Sequence, residues 1–546
     1  MQFSFQRANP SKGGGSTLLR FDDDIDDRTA CILVDSGDGV DLDTLLSPDD
    51  YLAAIVLTHA HLDHYLSIGD SLRDGAPIYT SSATASTLET VLGEGQKNYR
   101  LGEVADVLDA VTAINDWVTV TSELELRPIS AGHVPGAACF AVRFSDGTET
   151  NTILLTGDFT ARNAGGYSGL PTNLPMKVDA LFVNASTNER FEATLSDSLE
   201  TVLERVRAGS SVLVTTSGLT GVQYAYALGH LCDRIGEPAG ITLTGQVAKL
   251  YDDLDYDVPN VESVPVFDRP ETLFESSDIV VAGPEVPVEG SSKRLFECIE
   301  NDPTATLVQL TGGAISPVES ATCTVYDYEF RNHPTEETID TVVERLNPTN
   351  VVPVHASRRR LKRYRGKYDS AFVWANDDTE EYILYEDGRW SAPPWLSDRA
   401  VRSIRAQEWQ ANGGSLFEDF NGDDSDTATL GRDQSVDLDA EGVEVERFDR
   451  QFDSQPVIQE RTDAKPERAE EGETEPVETE SASESADAEF RRNVLDRLDD
   501  IEASVSNSLV RARVVDAGDG MTLLRLFGDS DLEHGDEVEL RVTDSE

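Results

Sequence analysis

No run of 18 or more apolar residues occurs in the chain, so the usual signature of a membrane-crossing helix is missing. Residues 1–20 also lack the basic, apolar and small-residue succession of a signal peptide, and a soluble cytoplasmic protein is expected. Cysteine is scarce: Cys31, Cys139, Cys232, Cys298 and Cys323 are scattered, odd in number and without a C-x-x-C pair. That spacing argues against a disulfide framework or a thiolate metal site and suits buried thiols in a reducing compartment. Basic residues are scarce as well, 45 Lys and Arg against 102 Asp and Glu, for a net charge of −57 over 546 residues. The length suffices for two or three domains with sizeable cores.

The acid surplus is spread over the chain. Residues 411–489 hold 25 acids and six bases, a net of −19, which leaves −38 on the remainder. Such a surface repels itself in dilute buffer, but the Debye length falls to about 3 Å near 1 M salt. Adaptation to a high-salt cytosol, such as that of an extreme halophile, is the expectation. A polyacid also repels nucleic acid, so any nucleic-acid function needs a local exception.

Short apolar runs alternate with helical spacing up to about residue 396. Residues 31–34, 54–57, 153–155, 180–183, 211–214, 279–281 and 351–354 read as buried strands, and several end in polar residues, where α/β proteins place their chemistry. Residues 198–207, 221–235 and 337–346 carry helical spacing. Beyond Trp395 the composition turns to Asp, Glu, Ser, Gly and Thr, and residues 461–490 contain 11 acids and almost no large apolar side chain. A disordered acidic linker is expected over 397–489, most plainly over 411–487. Val494, Leu498, Ile501 and Val505 then recur at heptad-like spacing, and residues 509–515, 521–527 and 537–542 read as strands. This C-terminal part, 490–546, is expected to be a helix plus small β module with a possible role in homodimer formation.

Only eight histidines occur, and three of them fall in six positions, in Thr58-His59-Ala60-His61-Leu62-Asp63-His64 directly after an apolar strand. A rigid element thus ends where nitrogen and oxygen ligands begin. His59 and His61 alternate to one side, while Asp63 and His64 can open a helix and face a second metal. With this run the chain resembles the metallo-β-lactamase superfamily. Asp35 in VDSG matches the first acidic position, which orients the histidine loop; His133 in AGHVPGA matches the third metal motif, and Asp158 in LLTGDFT the bridging aspartate. Downstream, roughly 130 further residues precede FRNH, with His333, and VPVH, with His355. This organisation resembles the beta-CASP ribonuclease group, of the RNase J kind or that of the cleavage and polyadenylation specificity factor nuclease.

The resemblance covers about residues 1–390. It implies an αββα sandwich (1–190 and 321–396) interrupted by an α/β cap (191–320). It implies two Zn²⁺ ions, one held by His59, His61 and His133, the other by Asp63, His64 and His355, with Asp158 between them. Asp63 and His333 would be catalytic in the hydrolysis of RNA phosphodiesters by zinc-activated water. One position departs from the pattern: motif A reads Asn184-Ala185-Ser186-Thr187, with Ala185 where the group has an acid that pairs with the motif B histidine. His333 would then lack its orienting partner unless Asn184 or Glu189 substitutes.

The local exception to the acidic surface follows His355. Arg358, Arg359, Arg360, Lys362, Arg363, Arg365 and Lys367 place seven cations in ten residues, interleaved by Tyr364 and followed by Tyr368. Such a run suits the backbone of single-stranded RNA, with the aromatics available to stack on bases; a solvated face answering the protein's own acids is the plainer alternative. Three further readings stay open at this level: a catalytically weak RNA-binding scaffold of a processing complex, a hydrolase of small esters or thioesters, and a DNA nuclease. Endonucleolytic and 5′ exonucleolytic action are not distinguished.

Overall fold

A computed structural model describes residues 1–22, 28–147, 149–313, 315–412, 430–433 and 435–452, together with the backbone of 511–516 and 522–527. Residues 1–456 form one compact unit and 457–546 another.

Two sheets form the centre of the first unit. One runs Arg389–Trp390, Tyr382–Glu386, Gln2–Arg7, Thr17–Asp22, Thr29–Val34, Asp50–Val56, Ile78–Ser81 and Val111–Ile114. The other runs Phe372–Val373, Asn350–Val354, Ala180–Asn184, Thr150–Leu155, Ala138–Ser145, Leu124–Ser130 and Val118–Thr121. Alternate residues of both sheets meet in a shared apolar layer that includes Phe3, Phe5, Phe21, Phe140, Phe144, Phe182 and Trp374. The other faces take helices such as Ser82–Gly95, whose Leu88, Val91 and Leu92 are buried. This is the α/β sandwich expected from the sequence.

The third sheet is wholly parallel, in the order Val261–Val264, Ile241–Thr244, Ile279–Ala282, Val212–Thr215, Thr306–Thr311 and Thr324–Glu329. Its central strands Ile279–Ala282 and Val212–Thr215 are near-continuous apolar runs because helices cover both faces, as parallel sheets require. Helices Phe191–Arg207 and Gly218–Ile235 flank it, each starting a few residues before the stretch whose spacing marked it. The third sheet extends past residue 320, the expected end of the cap, because Thr324–Glu329 pairs along its whole length with Thr306–Thr311. That strand reads TVYDYE, half polar because it lies at the sheet edge, and therefore gave no buried-strand signal.

Of the acidic linker expected over 397–489, two described stretches are ordered, and the rest lies outside the described residues. Residues 398–412 are helical, and within 430–452 the side chains of Leu438, Val443, Val445, Phe448 and Phe452 enter the main core. Composition averaged over the stretch hides them, since apolar residues at 445, 448 and 452 alternate with acids along the helix Val445–Phe452. In the second unit Arg511–Asp516 and Thr522–Phe527 pair as an antiparallel hairpin, matching two of the three expected strands. The third, at 537–542, and the helix over 494–505 lie outside the described residues.

Candidate metal centre

Five parallel strands deliver the site at their C-terminal ends. Thr29–Val34 leads to Asp35, Asp50–Val56 to the histidine run, Thr150–Leu155 to Asp158, Ala180–Asn184 to Asn184 and Asn350–Val354 to His355. Asp35, His133 and His355 adopt positive φ of 54°, 61° and 49°, backbone that non-glycine residues rarely hold without a constraint.

The hydrogen bonds around the rings set which nitrogen faces inward. Asp35 is buried and accepts from the Thr58 amide (2.8 Å), the Thr58 hydroxyl (2.9 Å) and His64 Nδ1 (2.7 Å). His64 Nδ1 therefore carries a proton, and its Nε2 faces the interior without a hydrogen-bond partner; against the cost of burial, the Asp35, Asp63 and Asp158 carboxylates hold the ring's pKa well above its ordinary range when no metal is bound. Thr58 spends its proton on Asp35, so its oxygen accepts from His59 Nδ1 at 3.0 Å, and His59 Nε2 is a lone pair. His133 Nδ1 donates to the Asn332 carbonyl at 2.8 Å, leaving its Nε2 bare.

Both bare nitrogens, His59 Nε2 and His133 Nε2, lie 3.1 Å from His61 Nδ1. Three ligand nitrogens around one tetrahedral ion at about 2.0–2.1 Å would be separated by roughly 3.3 Å. A cation fits this arrangement, and converging lone pairs without one would repel. Burial holds the His59 imidazole well below its ordinary range and that of His133 at about 4, so both are neutral ligands at neutral pH.

A second group comprises Asp63, His64 and His355, with Asp63 Oδ2 at 3.7 Å from His64 Nε2 and 3.5 Å from His355 Nε2. Asp158 lies between the groups: Oδ2 is 3.7 Å from His133 Nε2, while Oδ1 is 3.7 Å from His64 Nε2 and 2.7 Å from His355 Nδ1. Its carboxyl is fully buried, yet the facing His355, His64 and His333 hold it well below the usual carboxylate range against the cost of burial. All seven residues expected as metal ligands thus converge, and Asp35 stands behind them as an orienting group.

His333 reaches the same place, its Nε2 3.8 Å from Asp158 Oδ2, but its Nδ1 is buried without a partner. Neither expected substitute serves it. Asn184 donates Nδ2 to Asp158 Oδ1, and Glu189 accepts from the Glu336 amide at 2.8 Å, at the start of helix Glu336–Leu346. Ala185 is buried, its carbonyl taken by Arg360. Burial accordingly pushes His333 down to about 3 despite the pull of Asp158.

Three contributors were not singled out from the sequence in these roles: Asn184, which holds Asp158; Asn332, which also donates Nδ2 to the His133 carbonyl at 2.8 Å; and Arg162. Asn184 was marked by its place beside Ala185, though for a different role, and Asn332 adjoins His333; Arg162 offered no local signal.

The basic run forms helix Arg358–Tyr364, capped by the Ser357 hydroxyl, directly after His355. Its cations divide. Arg358 pairs with Asp377, Arg360 and Arg365 donate to the carbonyls of Ala185 and Ala375, and Lys367 pairs with Glu336 and Asp340. Arg359, Lys362 and Arg363 are exposed and make no ion pair among the described residues. The stacking role expected of the tyrosines is not available: Tyr364 is 2% exposed, and Tyr368 is half-buried with its hydroxyl on Asp340 at 2.7 Å. Helical spacing points Tyr364 inward with Leu361, on the face opposite the free cations, and Tyr368, beyond the helix end, is held by Asp340.

Comparison with known proteins places residues 17–207 in a match to the metallo-beta-lactamase superfamily. Ribonuclease TTHA0252 of Thermus thermophilus is 27% identical over 216 residues, 36% of this chain and 48% of that protein. Integrator complex subunit 11 of Gallus gallus is 26% identical over 197 residues, 32% of this chain and 31% of that protein. The chain thus spans half or less of the length of these relatives. A crystal structure of a protein of unknown function from Enterococcus faecalis V583 superposes with a TM-score of 0.50 at 14% identity, over 70% of this chain and 99% of that one, a likeness of fold.

Proposed function

We propose that this chain, whose residues 17–207 match the metallo-β-lactamase superfamily, is a two-zinc ribonuclease of the beta-CASP kind, acting on single-stranded RNA in processing or decay. The observation that carries the reading is the convergence of two three-residue ligand groups on opposite oxygens of Asp158. Further support comes from the free cations beside His355 and from relatives named as a ribonuclease and as Integrator complex subunit 11.

When bound, divalent ions of this kind lower the pKa of water toward neutrality and offset charge on phosphoryl oxygens. The residues supply the rest. His59, His61 and His133 present neutral nitrogens, Asp63, His64 and His355 form the second group, and Asp158 links the two. Asp35 and Thr58 fix the tautomers. Arg359, Lys362 and Arg363 draw the phosphate backbone toward His355. His333, buried and neutral, donates at most a hydrogen bond to the departing oxygen.

That last feature favours a second reading, a catalytically weak RNA-binding scaffold, because His333 Nδ1 has no carboxylate partner and burial outweighs the pull of Asp158 on the ring. Zinc-loaded protein in molar KCl, incubated with end-labelled RNA bearing a 5′ monophosphate or a 5′ triphosphate, separates the two. Cleavage that disappears in Asp158→Asn supports the ribonuclease; tight RNA binding without cleavage supports the scaffold.

A further inference from the structure

The segment 430–452 touches the loop that follows Asp158. The Asn163 amide donates to the Ala440 carbonyl (2.8 Å) and the Asp433 amide to the Gly166 carbonyl (2.8 Å). Consecutive amides of Gly165 and Gly166 donate to the two oxygens of Glu441, at 2.8 and 2.7 Å. Glu441 is 1% exposed and has no cation partner among the described residues. Burying a carboxyl group without a cation is costly, and the two glycine amides offset part of that cost. Gly442 follows at φ +91°, and a Cβ there would lie 3.0 Å from both Arg162 Cδ and Glu192 Cγ.

Arg162 is the next link. Its guanidinium donates to Asn332 Oδ1 at 3.1 and 3.3 Å, to the His333 carbonyl at 2.7 Å and to Glu192 at 3.2 Å. Asn332 in turn holds His133 twice, accepting from its Nδ1 and donating to its carbonyl. A continuous set of hydrogen bonds and close packing therefore runs from Glu441 and Gly442 through Arg162 and Asn332 to one ring of the first ligand group and to the backbone of His333.

We infer that residues 430–452 are a positioning strap: Glu441, by fixing the Gly165–Gly166 amides, holds Arg162 in place and so sets the rings of His133 and His333. The inference rests on the metal-centred reading above. Glu441 and Arg162 are positioning residues and touch neither metal nor substrate. Outer partners of ligating histidines are worth about 10–100-fold in metal affinity or activity.

The test is a double-mutant cycle of Glu441→Ala and Arg162→Ala in the full-length protein at pH 8. It is read by zinc affinity in chelator competition, by kcat and KM on RNA, and by hydrogen exchange of residues 160–169 in metal-free protein. Each single variant is expected to lose about tenfold in zinc affinity and in kcat with KM nearly unchanged, and the double variant little more than either one, as partners in one network behave. Glu441→Ala should also speed exchange in 160–169. Asp449→Asn, which breaks the strap's distant ion pair with Arg234, serves as the control and should change neither zinc affinity nor kcat by more than twofold. Should Glu441→Ala fail to fold, Glu441→Gln, which keeps one acceptor oxygen, replaces it with an expected loss of at least threefold. Wild-type zinc affinity in the Glu441 variant, or losses that multiply in the double variant, overturn the inference. Wild-type protein that binds zinc tightly but leaves RNA intact overturns only the ribonuclease reading.

Discussion

His64 shows how one side chain carries both structure and chemistry. Its Nδ1 proton is committed to Asp35, and its Nε2 has no hydrogen-bond partner but faces Asp63 and Asp158, each at 3.7 Å, a setting that favours a cation there, whether a proton or a metal ion. His355 belongs to the same group but is more exposed and sits at a strand end, so its loss need not disturb the core. His355→Ala is expected to remove up to one zinc per chain and abolish RNA cleavage while the circular dichroism spectrum stays native; full activity would remove His355 from the site. At position 185 the missing acid can be restored. His333 titrates near 3, so it is neutral at pH 7, and a carboxylate beside it favours its cation and raises its pKa. Ala185→Glu should therefore move the basic limb of the pH–rate profile upward and increase kcat by up to the roughly 100-fold scale of a placed acid. An unmoved profile at preserved zinc content would assign proton transfer elsewhere.

Two elements translate sequence composition into different outcomes than their charge alone suggests. In helix Arg358–Tyr364 four of the seven cations of the basic run, counted through Lys367, are occupied within the fold, so the polyanion contact narrows to Arg359, Lys362 and Arg363. Replacing these three by glutamine should flatten the salt dependence of RNA binding by about 0.7 per lost phosphate contact, with little effect on a small phosphodiester. Equal losses on both substrates would point to damage at the metal centre instead. In the strap, burial lifts the Glu441 carboxyl to about 7 although the glycine amides pull it down. A folded pKa raised from 4.5 means that the neutral form is favoured: the contribution is complete below about pH 4.5 and is lost as pH rises through about 7. The cost of ionisation is roughly 3 kcal/mol. Glu441→Gln should remove this fall in stability between pH 5 and 7, as measured by urea denaturation at fixed ionic strength.

At the scale of the whole chain the strap determines where the first unit ends. Cutting after residue 456 should leave a folded, zinc-binding protein. Cutting after residue 410 removes five buried apolar side chains, Leu438, Val443, Val445, Phe448 and Phe452, worth roughly 8–15 kcal/mol at about 1.5–3 kcal/mol each. That is comparable with the entire stability of a domain, and the shorter fragment should aggregate or melt far lower. The net charge of −57 acts over the same scale. Screening by molar KCl should raise the melting temperature steadily from 0.1 to 2 M, and a flat or falling curve would reject self-repulsion as a governing force.

Contiguous residues sufficed wherever the physics was local. The apolar runs that end in His59, Asp158 and His355, and the helical spacing of 198–207, 221–235 and 337–346, reflect side-chain periodicity within single elements, which is why those strands and helices were legible, whereas the sandwich and the ligand set were implied by the resemblance that the histidine run and its downstream motifs carry. The partners of those ligands were not, because topology alone brings them together. Asp158 meets His355 across 197 residues, and Gly165 meets Glu441 across 276. Burial was likewise a tertiary decision: Tyr364 and Tyr368 look available for stacking in the sequence, yet Tyr364 is buried in the core and Tyr368 is tied to Asp340 of helix Glu336–Leu346. The acids of 430–452 look like solvated linker, yet three apolar residues on one helix face and a single buried carboxylate attach that stretch to the core beside the metal centre. Composition records how many charges a segment has, whereas only packing determines which of them face water.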